Sequence, residues 1–216
     1  MIFCGNSMIR IFSLLRRLQY EELTRLTIDG RILDVGGAHE SGYHELIKGT
    51  HTFEVANIMA SPKVDFVFDA QERFPIEDNV YSGVILLNVL EHLYNYKNAV
   101  SESFRVLKSG GVLVGAVPFL FSVHASPDDY FRYTRSALEQ IFRDAGYTDI
   151  VIKELGTGAF SVIHHLLFGL YYFDFIKELA MKICMFLDSI ISYIKKDSYM
   201  SERSMPLGYF FEAKKP

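Results

Sequence analysis

Apolar positions along this chain change their period several times, and each change marks an element. Met8, Ile11, Phe12, Leu15 and Leu18 recur at helical spacing while Arg10, Arg17 and Glu21 fall on other faces, which predicts an amphipathic helix packed on a folded unit. The runs then shorten. Arg31–Val35, Thr52–Ile58, Val64–Phe68 and Val84–Leu87 read as strands bounded by turn residues, and the fourth lacks polar alternation, as a parallel strand covered on both faces does. Tyr43–Lys48 lies on a helix between the first two. Ala99, Val100, Phe104 and Leu107 form the stripe of a later helix stopped by Gly110-Gly111, before a fifth strand at Val112–Val117. Leu138, Ile141, Phe142 and Ala145 are the buried side of the next helix; Thr134 or Ser136 caps it, the latter with Glu139 at capping-box spacing, and Gly146 ends it. Thr148–Leu155 and Gly208–Ala213 are the last two strands. Strands alternating with helices imply an α/β fold with a doubly wound, mostly parallel sheet, which takes its ligand beyond the carboxyl ends of the strands.

One segment departs from this rhythm. Between Phe160 and Ile194, residues Leu166, Leu167, Phe168, Leu170, Tyr171 and Tyr172 leave a helix apolar nearly all round, more surface than a unit of this size can hide. The segment calls for a cover: a membrane surface, a second subunit, a lipid-linked acceptor, or the active site itself if the helices close over it. Lys177, Lys182, Lys195 and Lys196 are positioned to reach lipid head groups. Asp174, Lys177, Glu178, Lys182 and Asp188 interrupt the run before it reaches bilayer length.

Composition narrows the classes. With 216 residues, half of them hydrophobic, one domain is expected: a helical cap at 1–30, a core at 31–155, a helical insertion at 156–205 and a last strand at 206–216. A net charge of −4 carries no footprint for a polyanion, so nucleic acid is not the expected substrate. Cys4 and Cys184 match neither metal spacing nor a disulfide framework, which suggests a reducing compartment. Arg10, Arg16 and Arg17 interrupt the first apolar run and no cleavage site follows, so a cytoplasmic protein is expected, peripheral on the inner membrane face if 160–194 meets lipid.

The chemistry-bearing residues follow the strands. Asp34-Val35-Gly36-Gly37-Ala38 comes directly after Ile32-Leu33, where an acidic residue and small residues at a strand-to-helix turn let a bulky ligand touch backbone. Val64-Asp65-Phe66-Val67-Phe68-Asp69-Ala70, Val84-Ile85-Leu86-Leu87-Asn88-Val89-Leu90-Glu91-His92 and Arg105-Val106-Leu107-Lys108-Ser109-Gly110-Gly111 come next in order. From about Ile32 to Gly146, and loosely over Gly208–Lys214, the series resembles class I S-adenosylmethionine-dependent methyltransferases, of the type 11-like branch. That resemblance implies a seven-stranded Rossmann-like sheet whose last strand runs antiparallel. It also implies S-adenosyl-L-methionine as cofactor: Asp34, Gly36, Gly37 and Ala38 at its methionine part, Asn57 and Ile58 near the ribose, Asp69 and Ala70 at the adenine edge, and Asn88 at the ammonium through its carbonyl. Ala38 and Asn57 depart from the usual glycine and acidic residue, which bears on affinity.

After the fifth strand, Pro118-Phe119, His124, Pro127, Asp129, Tyr130, Arg132, Tyr133 and Thr134 resemble a segment of a bacterial methyltransferase subgroup linked with polysaccharide and glycan assembly. For O-methylation His124 is the candidate general base, Asp129 its orienter or itself the base, Arg132 a binder of anionic acceptor groups, and Tyr130 and Tyr133 sugar-facing walls. The other reading is that Asp129 and Arg132 pair to brace the loop while the tyrosines pack. Glu91-His92 invites a catalytic or metal reading, but His92 is expected at a helix start or on the pocket wall rather than on a metal, because no further ligand set stands at metal spacing, and no metal is expected. The acceptor is thus a small molecule, glycan or lipid-linked intermediate. A non-catalytic binding module that kept the fold is the alternative, and a dinucleotide-dependent oxidoreductase the weaker one, since the G-x-G-x-x-G spacing is missing.

Overall fold

The structure, a computed structural model, describes residues 12–194, 201 and 203–216. Seven strands, β1 (Gly30–Val35), β2 (His51–Asn57), β3 (Phe66–Val67), β4 (Tyr81–Leu87), β5 (Leu107–Pro118), β6 (Thr148–Leu155) and β7 (Gly208–Lys214), form one sheet in the order β3-β2-β1-β4-β5-β7-β6. β1 to β5 pair in parallel, and β7 runs antiparallel to both β5 and β6. The expected Rossmann-like sheet with a reversed last strand is therefore present. Strand order reverses between β1 and β4, and both faces of the sheet are covered. Leu33, Val84, Leu86, Phe142 and Phe211 pack in one layer; Leu23, Ile32, Ile85, Val114 and Phe210 pack in the other. Adjacent residues such as Ile32 and Leu33 enter opposite layers because successive strand side chains alternate.

Helices α1 (Leu14–Leu23), α2 (Tyr96–Val106) and α3 (Arg135–Asp144) lie close to the expected positions. Of the first stripe, Leu15 is buried, Phe12 is exposed, and Met8, Ile11 and Arg10 lie outside the described residues. Three local expectations are corrected, and the choice of cap for α3 is resolved. Tyr43–Lys48 is not an α-helix but a single tight turn at His44–Leu46, because Tyr43 and His44 both turn their side chains onto Asp34. Gly110-Gly111 does not end α2: the helix stops at Val106, and Leu107 already pairs with Tyr81. The glycines sit in a bulge between that pair and Gly83↔Val112, with Gly110 at φ +78°. Thr134 caps α3, accepting from the Ala137 N–H at 3.3 Å, while Glu139 pairs with Arg135 at 3.0 Å instead of closing a box with Ser136. The strand at 64–68 shrinks to Phe66–Val67, since the Asp65 carboxylate occupies the Val55 N–H that a longer ladder would use.

The insertion is two helices, α4 (Ala159–Leu167) and α5 (Asp174–Ile194). Buried Asp188 on α5 accepts from the Phe160 and Ser161 N–H groups, each at 2.9 Å, and from the Thr157 hydroxyl at 2.8 Å, so a carboxylate meets the unsatisfied amides at the start of α4. Arg17 on α1 joins Glu178 on α5. No helix among the described residues is long and apolar enough to cross a membrane.

Candidate functional site at the strand ends

Asp34 anchors the first turn from below. It is fully buried, and its Oδ2 accepts from the Tyr43 hydroxyl at 2.6 Å and contacts His44 Nε2 at 2.7 Å, while Oδ1 has no hydrogen-bond partner among the described residues. Above it the chain reverses at Gly36, whose φ of +89° suits glycine, and a Cβ there would meet Val89 Cγ2 at 2.7 Å. Gly37 lies flat on the Asp34 carboxylate, where any Cβ would overlap Oδ2. The glycine pair thus owes its identity first to the protein's own packing. Asn57, at the end of β2, donates from Nδ2 to the Gly37 carbonyl at 3.0 Å and accepts from the Met59 N–H at 3.1 Å. Its amide ties two turns together, which a carboxylate in that place would do only in part, having no donor.

These turns wall a cavity of about 570 Å³ beyond the carboxyl ends of β1 to β4. Gly36, Asn57, Ile58, Asp69, Ala70 and Asn88 line it, so six of the nine residues expected at the cofactor meet in one place. Asp34, Gly37 and Ala38 stand behind that surface; the Ala38 N–H donates to Ser41 Oγ at 3.1 Å. Asp69 accepts from the Gln71 N–H at 2.9 Å. Asn88, at φ +54°, exchanges side-chain hydrogen bonds with Gln19 of α1, at 2.7 and 3.2 Å. Gln19 had no signal beyond its helical face, because its partner is 69 residues away.

The facing wall comes from the loop after β5, through Ser126, Pro127 and Asp128. The Asp129 side chain is almost fully buried and accepts from both Arg132 guanidinium nitrogens, at 2.5 and 2.7 Å, and from the His124 N–H at 2.8 Å. Hydrogen bonds from Arg132 hold its carboxyl well below the usual carboxylate range, against the opposing effect of burial. So placed, Asp129 and Arg132 brace the loop. Asp129 orients His124 through the backbone, with its carboxylate 3.5 Å from the ring Nδ1. Tyr133 is buried and donates to the Leu90 carbonyl at 3.0 Å, and Tyr130 is exposed with its hydroxyl on Asp128. Tyr130, His124, Arg132 and Tyr133 thus share a loop without lining the cavity itself.

Beneath the same loop lies Glu91, whose pairing with His92 the sequence raises as a catalytic or metal reading and sets aside for want of a further ligand. Glu91 is fully buried, neither carboxylate oxygen has a hydrogen-bond partner among the described residues, and burial pushes its pKa up to about 8. Its oxygen lies 3.8 Å from His92 Nε2, and His92 lines the cavity as expected. The His92 and His124 rings are 5.0 Å apart at 81°, a neighbour 32 positions downstream that spacing along the chain does not reveal.

Residues 44–115 match the family model of a methyltransferase domain. Over 65 residues the chain is 37% identical to a probable S-adenosylmethionine-dependent methyltransferase of Mycolicibacterium smegmatis; the match covers 30% of this chain and 25% of that protein. The chain thus spans a quarter of the length of this curated relative. Among solved structures it is similar to a phosphoethanolamine N-methyltransferase 2 of Haemonchus contortus in complex with S-adenosyl-L-methionine (TM-score 0.57, 17% identity, 92% of this chain and 52% of that one). It is also similar to a SAM-dependent methyltransferase from Archaeoglobus fulgidus (TM-score 0.56, 19% identity, 94% and 93%). The fold is that of the S-adenosylmethionine-dependent methyltransferases.

Proposed function

We propose that this chain is an S-adenosylmethionine-dependent methyltransferase that methylates an oxygen of a sugar, glycan or lipid-linked intermediate. The observation that carries the reading is the cavity at the strand ends, where Gly36, Asn57, Asp69 and Asn88 converge on the sheet of this fold. The residues fit the cofactor: a buried acceptor, Asp34 Oδ1, has no partner among the described residues and stands behind the turn, and Gly36 brings bare backbone to the cavity wall. Asp34, the turn and the Asn88 carbonyl would hold the methionine part, whose ammonium favours acceptors; Asn57 with Ile58 would face the ribose, and Asp69 with Ala70 the adenine. When bound, the cofactor supplies an electrophilic methyl group on a sulfonium, and the protein supplies alignment and a proton acceptor. His124 stands on the acceptor side as that group, and Asp129 is its positioning residue rather than a second base, being engaged by Arg132 on both oxygens. Calorimetry with S-adenosylmethionine, S-adenosylhomocysteine and NAD tests the reading. The first two alone should bind; NAD binding would favour hydride transfer, and binding of none a module without turnover.

The insertion supports an amphipathic acceptor. β6 runs parallel to β5, so α4 leaves the sheet at the same edge as the cavity, and His165 on α4 contacts Phe121, which in turn contacts His124. Leu166, Leu170, Phe175, Leu179, Phe186 and Tyr193 project from the helical pair more than half exposed. A membrane surface presenting a lipid-linked acceptor would cover that face beside the active site. Association with liposomes should then depend on apolar burial and weaken when anionic lipid is removed or salt is raised. A monodisperse dimer without vesicle binding would replace the membrane with a second subunit.

A further inference from the structure

We propose that Glu91, His92 and His124 form a binding site for one divalent transition-metal ion on the loop side of the cavity. A carboxylate oxygen of Glu91 and one ring nitrogen of each histidine lie within 4.8 Å of one another. Glu91 is fully buried, and neither oxygen has a hydrogen-bond partner among the described residues. Leaving a buried polar group unsatisfied is unfavourable, and more so if it is charged, so the fold keeps this carboxyl at a loss unless something else binds it. His92 Nε2 is 3.8 Å away, too far for a hydrogen bond.

The histidines are oriented as ligands are. His92 Nδ1 lies 2.6 Å from the Asp128 carbonyl. A carbonyl only accepts, so the proton sits on Nδ1 and Nε2 turns its lone pair toward Glu91. Metal-bound imidazoles are held in this way, one nitrogen fixed by a backbone carbonyl or carboxylate and the other free for the ion. His124 repeats the pattern: its Nδ1 lies 3.2 Å from the Ser122 carbonyl with the Asp129 carboxylate behind it, and the Asp129–Arg132 pair fixes the loop that carries it. Two imidazoles and one carboxylate suit zinc, cobalt, manganese or iron better than calcium or magnesium, which prefer oxygen throughout. Bonds of about 2.0–2.2 Å at tetrahedral angles place donors roughly 3.3 Å apart, so binding would draw the three side chains together. Three protein ligands leave coordination open, and His92 borders the cavity. A cation there would polarise an acceptor oxygen, with His124 then serving as its ligand rather than as the free base. This consequence rests on the proposed function; the site itself does not.

The purified full chain, stripped with a chelator and dialysed, would be titrated with Co²⁺ under visible absorption, with Zn²⁺ as competitor, and S-adenosylhomocysteine binding measured on the same sample. One saturable equivalent displaced by Zn²⁺ is expected, weakened at least about a hundredfold in His124→Ala and in Glu91→Gln, with circular dichroism and S-adenosylhomocysteine affinity kept. Lack of saturable Co²⁺ binding, or binding unchanged in folded His124→Ala, would overturn the site. His124→Ala keeps the test open if Glu91→Gln does not fold, because it replaces a partly exposed loop side chain. Metal bound without S-adenosylhomocysteine would uphold the site and count against methyl transfer. The converse would remove the site alone.

Discussion

The two walls of the cavity are built on opposite principles. On the turn wall, at the ends of β1, β2 and β3, polar side chains are engaged with neighbouring turns: Asp34 with Tyr43 and His44, Asn57 with Gly37 and Met59, Asp69 with Gln71. The ligand is left mostly backbone, glycine and apolar surface. The loop wall brings side chains from distant parts of the chain and leaves both carboxylate oxygens of buried Glu91 without a partner among the described residues. A cofactor that is the same in every turnover suits a rigid backbone cradle, whereas acceptor chemistry needs groups with free lone pairs.

Breaking the turn wall should have the largest effect. Gly36→Val adds a β-branched side chain at φ +89° and against Val89, so S-adenosylhomocysteine affinity should fall at least about a hundredfold in a chain that still folds by circular dichroism. Retained affinity would detach this turn from the cofactor. On the loop wall, His124→Ala should lower turnover about a hundredfold with cofactor affinity unchanged, and wild-type rates on the true acceptor would make the loop structural only. Asp129→Ala sharpens the contrast: it should lower turnover and also destabilise the chain by about 1.5–3 kcal/mol, because it leaves Arg132 without its partner. Equal melting temperatures for the two variants would contradict its role as a brace. Asp69→Ala should weaken S-adenosylhomocysteine by roughly ten- to a hundredfold, and an unchanged dissociation constant would move the adenine elsewhere. The smallest effect is outside both walls: Thr134→Ala should cost about 1 kcal/mol by denaturant unfolding and Ser136→Ala much less, since only Thr134 caps α3.

What the sequence determined by itself was whatever depends on neighbours within a few positions. The strands, the glycine turn after β1 and the helix over 135–144 follow from period and turn chemistry, and the positions at the strand ends follow from the rule that such sheets bind ligands there. That is why six residues expected at the cofactor line one cavity. Local rules failed where a distant partner outbid local preference. Asp34 drew Tyr43 and His44 out of a helix, and Asp65 replaced part of a strand ladder with its side chain. Tertiary structure alone decided that Gln19 reaches Asn88, that Asp129 and Arg132 hold each other, and that His124 arrives beside Glu91 and His92. Hydrogen bonds and ion pairs act over a few ångströms of space, and distance along the chain gives no measure of that until the sheet has brought its edges together.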